Sequence, residues 1–246
     1  MSVKSLLLKY RHIVRAYIDK YPLIYLPICL IRPKTRPITV CKGTEIVIEG
    51  FPRCANTFAV AAFTFAQQRQ VKIARHLHAP AQVIAAARKG IPCIVLIRKP
   101  RDAVLSLLVR AAHISAEQAI KDYIRFYSSV APYRDKFVIG RFEEVTADFG
   151  EVIRRVNARF GTSFRPFEHT EENLRQVFQI VEEMDKQDTG LREVKEETVA
   201  RPSSHRVILK NMAKAKLETP KAKRLLTEAE KVYSMFIGSK EGSVGE

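Results

Sequence analysis

No apolar stretch of this chain is long enough to cross a bilayer as a helix. The longest candidate, Leu23–Ile31, is interrupted by Pro27 and falls well short of the ~20 apolar residues that a span requires. No secretory signal is expected either, because the apolar run Ser5–Leu8 is short and basic residues follow it at once. Cysteine is scarce. Cys29, Cys41, Cys54 and Cys93 have neither paired nor metal-ligand spacing, which argues against a disulfide framework and a cysteine zinc site. Such unpaired spacing suits a reducing compartment, so a cytoplasmic location is expected. Internal repeats, low-complexity blocks, zinc-finger spacing and a Gly/aromatic RNA-binding signature are all missing, so nucleic acid is not the expected partner. Negative charge is in deficit: 26 acidic residues face 42 Lys and Arg, a formal net charge of +16. Such a balance favours anionic partners, whether nucleotides, sulfated or phosphorylated molecules, or an acidic membrane surface.

What is present is an ordinary globular composition, 46% hydrophobic and 28% charged over 246 residues, enough for one large domain with extensions. Residues 1–43 are expected to form an N-terminal helix and a proline-rich connector, 44–237 the main domain, and 238–246 a disordered tail. Residues 3–20 read as a basic amphipathic helix, with Leu7, Tyr10, Val14, Tyr17 and Ile18 on one stripe. Pro22, Pro27, Pro33 and Pro37 make 21–43 an expected extended segment. Aromatic, apolar and basic residues interleave over 1–33. Packing on the domain is the favoured reading of that stretch, and peripheral membrane contact is the second.

Strand and helix patterns then alternate. Strands are expected at 46–49, 71–75, 93–97 and 137–140. Helices are expected at 57–68, 80–89, 101–111, 116–131 and 148–160, and again near 170–187, 203–217 and 220–237. This rhythm predicts an α/β fold, a three-layer parallel sheet flanked by helices with a helical C-terminal third. Ligands of such sheets sit at the carboxyl ends of the strands. The segments beginning at Gly50, His76 and Arg98 all leave from those ends.

Gly50-Phe-Pro-Arg-Cys-Ala-Asn-Thr57 lies between the first strand and the first helix of that series. A Gly, four residues, then a small residue, a polar residue and Thr is the layout of a phosphate-cradling loop. Ala55 stands where the second Gly is expected, and Asn56 where the nucleotide-binding Lys is expected. The cation is Arg53 instead. The loop therefore suits a phosphate-like anion better than ordinary ATP or GTP hydrolysis. Amides of residues 54 to 57 at a helix start would bind the anion, with the Thr57 hydroxyl as a further donor.

Two motifs together, Pro52-Arg-Cys-Ala-Asn-Thr-Phe58 and Arg98-Lys-Pro-Arg-Asp-Ala-Val-Leu-Ser106, resemble the sulfotransferases that use 3′-phosphoadenosine 5′-phosphosulfate (PAPS). They match the family's P-[KR]-S-G-T/N-T-[FWY] loop and its R-x-P-[RK]-D-x-x-x-S motif, in the same order. Phe142-Glu-Glu-Val-Thr146 is similar to a segment of bacterial members. The resemblance runs from about residue 45 to 161 and departs at Cys54, usually Ser, and Ala55, usually Gly. It implies a P-loop sulfotransferase domain with PAPS as co-substrate and no metal. Pro52, Arg53, Cys54, Ala55, Asn56, Thr57 and Phe58 would hold the phosphosulfate. Arg98 and Ser106 would hold the 3′-phosphate, and Arg201 and Arg206 would close over it.

Sulfuryl transfer to an alcohol or amine needs a group to take the acceptor's proton, and histidine is suited to that near neutral pH. His76-Leu-His78-Ala-Pro80 follows the second expected strand, at the place where the resemblance implies a base. As an extended segment it would direct the two rings to opposite sides. His78 is the favoured base and His76 the second choice, with Arg53 as the electrostatic partner of the leaving group. The acceptor, glycan, lipid or small alcohol, is not legible. Two other functions remain open at this point: a nucleotide-dependent phosphotransferase of the same loop class, and a catalytically degenerate anion-binding member.

Overall fold

The computed structural model describes residues 14–111, 113–190, 192–194 and 204–238, with the backbone alone for residue 188 and for 204–207. The fold is built on two strands buried end to end, β1 (Ile46–Gly50) and β3 (Cys93–Ile97). Near-continuous apolar runs of this kind mark strands covered on both faces. With β2 (Ile73–Arg75) and β4 (Val138–Arg141) they form a parallel sheet of order β2-β1-β3-β4. The register pairs Gly50 with Leu96 and Leu96 with Gly140. Both glycines are sterically required. A Cβ on Gly50 would lie 2.4 Å from the Leu96 carbonyl oxygen, and one on Gly140 would lie 2.9 Å from the Leu96 and Val145 side chains.

Helices connect and flank the strands. After β1 comes α2 (Asn56–Ala66), after β2 comes α3 (Pro80–Lys89), and after β3 come α4 (Pro100–Arg110) and α5 (Ala116–Val130). A 3₁₀ turn, Ala131–Lys136, feeds β4, which is followed by α6 (Phe142–Ala147) and α7 (Phe149–Phe160). The C-terminal third is helical: α8 (Glu171–Thr189), α9 (Ser204–Ala213), a 3₁₀ turn Lys214–Leu217, and α10 (Pro220–Gly238). This is the α/β architecture expected from the sequence. The expected tail lies, apart from Gly238, outside the described residues. Aromatic side chains pin α10 to α5, with Phe236 edge-on to Tyr127 and stacked on Phe137. Tyr123, Tyr127 and Phe137 are fully buried beneath it.

The N-terminal part differs from the expected extended connector. Pro22–Ile31 is a helix, α1. Pro22 sits at its first turn, where a missing N–H costs nothing. Pro27 lies inside it, and the carbonyl it leaves unpaired is that of Leu23, whose side chain is 88% exposed, so water can satisfy it. Helical spacing puts Tyr25, Leu26 and Cys29 against the domain, and that burial outweighs the local cost of proline. The preceding helix, expected over 3–20, is described only from residue 14, and its earlier part lies outside the described residues. It is tied down by Arg125, which pairs with Asp19 at 3.1 Å, and by Ala81, whose N–H donates to the Asp19 carbonyl at 2.8 Å. Among the described residues no helix is long and apolar enough to cross a membrane.

Candidate functional site

The turn after β1 reaches the left-handed region without using glycine. Arg53 has φ 71° and Ala55 has φ 68°. Each carries a Cβ that this conformation penalises by roughly 1–2 kcal/mol. The result is an alternation of side chains. Cys54, Asn56 and Phe58 turn inward, while Pro52, Arg53, Ala55 and Thr57 stay partly exposed. Cys54 lies 3.4 Å from the Tyr127 hydroxyl, which itself donates to the Leu96 carbonyl at 2.7 Å. Burial pushes the Cys54 thiol up to about 12, so it is a neutral packing group. The Asn56 amide donates to the Phe51 carbonyl at 2.9 Å, which braces the turn. Phe58 packs among Phe167, His169 and Phe178. Cys54, Asn56 and Phe58 can therefore offer a ligand only backbone groups. The first amides of α2 lack intrahelical acceptors, as at any helix start, and form an anion-binding end.

The second motif meets the first here. Arg53 Nε donates to Ser106 Oγ at 3.1 Å, and Arg98 Nη1 donates to the Arg53 carbonyl at 3.4 Å. Ser106 is buried in the second turn of α4. Two further contacts hold Arg98, and one of its donors is left over. Its carbonyl accepts from the Tyr123 hydroxyl at 2.7 Å, its guanidinium lies 3.8 Å from the Phe142 ring centroid, and its Nε is buried without a hydrogen-bond partner among the described residues. An orphaned buried donor costs about 1–3 kcal/mol. A bound phosphate oxygen would remove that cost, so the residues present fit an anionic group. Phe142, the first residue of α6, thus contributes an aromatic platform for Arg98.

The histidine segment is not extended. His76 and His78 have φ 55° and 49°. Two left-handed residues flanking Leu77 bring both rings together, with centroids 5.9 Å apart. The expectation of opposite faces fails because it assumed strand geometry. His78 Nδ1 donates to the Gly50 carbonyl at 2.8 Å, which leaves Nε2 as the basic nitrogen of a ring that is 26% exposed. His76 Nδ1 accepts from Arg75 at 2.9 Å, and its buried Nε2 has no partner among the described residues. Burial lowers the His78 pKa to about 4. The Gly50 carbonyl opposes that shift, and Arg15, Arg110 and Arg53 add to it. His76 is lowered well below its ordinary value, by burial and then by His78, Arg75 and Arg110. Both rings are thus neutral at pH 7, and a bound anion would offset the cations that depress them.

One residue of this site was missed by sequence reasoning. Glu49, at the end of β1, is fully buried and accepts from Leu77 N at 2.7 Å, His78 N at 3.0 Å and Gln82 Nε2 at 2.9 Å. Its carboxylate lies 3.9 Å from His78 Nδ1. Burial pushes its pKa up to about 7, against the pull of those donors. A lone acid in an apolar strand was the available signal, since such a group needs partners to stay buried. Arg201 lies outside the described residues, and Arg206 is described only as part of the α9 backbone.

No protein-family model matches the chain, and no curated protein matches it. Among solved structures it is similar to mouse sulfotransferase SULT7A1 complexed with PAP. The identity is 13%, the match covers 83% of this chain and 88% of the mouse chain, and the TM-score is 0.48.

Ala55 carries its side chain at φ 68°, so Ala55→Gly should stabilise the protein by about 1 kcal/mol. A thermal melt is expected to rise by about 2–4 °C. A fall, the usual effect of glycine in a helix, would contradict the left-handed turn. For His78 the folded pKa of about 4 lies below the ordinary 6.5. Between those values the unfolded chain binds more protons, so the contribution of neutral His78 is present above about pH 6.5 and is lost as pH falls through 4. Glu49, raised towards 7, acts in the opposite direction, and it is common to wild type and His78→Gln. Urea denaturation should therefore show the wild type losing stability relative to His78→Gln between about pH 7 and about pH 5. A constant difference would remove the shift assigned to His78.

Proposed function

We propose that the protein is a PAPS-dependent sulfotransferase, moving a sulfuryl group from the nucleotide to a hydroxyl or amine acceptor. The observation that carries the reading is the joining of the two motifs: Arg53 Nε on Ser106 Oγ at 3.1 Å and Arg98 on the Arg53 carbonyl at 3.4 Å. Two fixed guanidinium charges, a buried hydroxyl and a helix start within one constellation suit a ligand with two separate phosphate groups. In this reading Arg98 and Ser106 bind the 3′-phosphate, and the amides of the turn with Thr57 bind the 5′-phosphosulfate. Arg201 and Arg206 belong to the same proposal as residues that close over the nucleotide.

The chemistry then falls to few residues. The acceptor oxygen or nitrogen forms a bond to sulfur as the bond from sulfur to the bridging phosphate oxygen breaks. His78 Nε2 takes the acceptor's proton, with His76 as the second candidate. Arg53 and the helix-start amides stabilise the charge that gathers on the departing adenosine 3′,5′-bisphosphate (PAP). An arginine cannot give up a proton in this setting, so Arg53 acts only through its charge. Glu49 fixes the histidine loop through the amides of Leu77 and His78. The account requires no metal.

Two other readings fare differently. A phosphotransferase would need a cation at position 56, where Asn56 is buried and bonded to the turn's own backbone. A non-catalytic anion-binding protein draws support from Ala55, whose methyl group sits where the family's glycine would leave room. Glycan, lipid and small alcohol are all retained as acceptors.

The direct test is thermal stability with PAP and with AMP. At a hundredfold excess over Kd, PAP should stabilise the fold by about 2.7 kcal/mol, a rise of about 5–10 °C for a chain of this size. AMP, lacking the 3′-phosphate, should give less, and Arg98→Ala should erase the difference. Absence of any response to either nucleotide would overturn the proposal, and unchanged discrimination in Arg98→Ala would remove Arg98 from the 3′-phosphate site.

A further inference from the structure

Helix α1 has no polar face. Its sequence, Pro-Leu-Ile-Tyr-Leu-Pro-Ile-Cys-Leu-Ile, contains no charged residue. A helix apolar all round is normally covered all round, yet only Tyr25, Leu26 and Cys29 are buried. Leu23, Pro27 and Ile31, spaced by four, form an outward stripe, with Leu23 88% and Ile31 81% exposed. Ile24 (52%), Tyr21 (49%) and Tyr17 (72%) extend it. Most of the large exposed hydrophobic side chains among the described residues belong to this segment.

The surroundings of the stripe carry one sign of charge. Lys20 precedes it, with its ammonium 5.1 Å from the Tyr21 ring centroid. Arg32, Lys34 and Arg36 follow it, all exposed. No Asp or Glu occurs between Lys20 and Thr44, and the nearest acid before it, Asp19, is buried against Arg125. A second copy of this face would bring like charges together. An apolar strip bordered by tyrosines and cations fits an acidic lipid surface instead, where apolar side chains enter the boundary, tyrosines sit at headgroup level and cations meet anionic headgroups.

We infer that residues 17–36 dock the protein on the surface of an anionic bilayer, α1 lying in the interface rather than spanning it. The packed face and the outward face of α1 then have separate tasks: Tyr25, Leu26 and Cys29 hold the helix to the domain, and Leu23, Ile24 and Ile31 enter the lipid. The inference does not depend on the nucleotide reading of the strand-end site.

The test is co-sedimentation of the full chain with vesicles of phosphatidylcholine alone or phosphatidylcholine with phosphatidylserine. Binding is expected to the phosphatidylserine vesicles, to fall with added salt, and to be weak on phosphatidylcholine alone. Leu23→Asp with Ile31→Asp should abolish it at unchanged melting temperature, since both positions are exposed. Reversing Arg32, Lys34 and Arg36 to Glu should weaken it by at least the roughly fivefold per cation that surface attraction supplies. The second variant set decides the matter should the first lose its fold. Equal binding to both vesicle types, no binding to either, or retention by both variants would overturn the inference. So would a dimer in light scattering that the Leu23→Asp, Ile31→Asp pair converts to monomer, which would assign the face to a second copy.

Discussion

A single buried carboxylate organises the mouth of this sheet. Glu49 stands at the carboxyl end of β1 with no exposed surface, and a bare charge there would be untenable. Its oxygens instead collect the amides of Leu77 and His78 and the side chain of Gln82. Gln82 in turn accepts from Val40 N at 2.8 Å and donates to the Ile38 carbonyl at 3.3 Å. One network thus joins the central strand, the histidine loop, α3 and the N-terminal segment. Removing the carboxylate would leave several buried donors unpaired at once, the costly direction of any hydrogen-bond change.

That anchoring explains where the backbone can hold strain. Arg53, Ala55, His76 and His78 are the non-glycine residues with positive φ among the described residues, and all belong to the candidate site. Such conformations cost of order 1–3 kcal/mol each and persist only where surroundings over-determine them. Here the surroundings are the Glu49 acceptors, the Asn56 brace on Phe51 and the Gly50 carbonyl on the His78 ring. The strain turns Arg53 towards Ser106 and sets the two imidazoles side by side. The candidate site thus lies where the chain is least relaxed.

Much of the frame was legible in the sequence because it rests on local pattern. The apolar runs at 46–48 and 93–97 are the central strands, and the Arg98–Ser106 spacing does bring a guanidinium and a hydroxyl to the turn of the first motif. What could not be read depends on distant partners. α1 contradicts its prolines because burial of Tyr25, Leu26 and Cys29 decides its conformation. The histidines were assigned alternating faces from a strand rule that a left-handed backbone does not obey. Cys54 and Asn56 were expected to meet an anion through their amides; that Tyr127 and Phe51 draw their side chains inward depends on partners the local pattern does not name. Glu49 gave no signal beyond being an acid in an apolar strand, since its donors lie about thirty residues away.

The central claim is that the turn after β1 and the Arg98–Ser106 segment form one nucleotide site. A crystal structure of the protein with PAP addresses it most directly. The account predicts the 5′-phosphate on the amides at the start of α2 beside Arg53, and the 3′-phosphate on Arg98 and Ser106. A nucleotide bound elsewhere, or held with its 3′-phosphate away from Arg98, would contradict it.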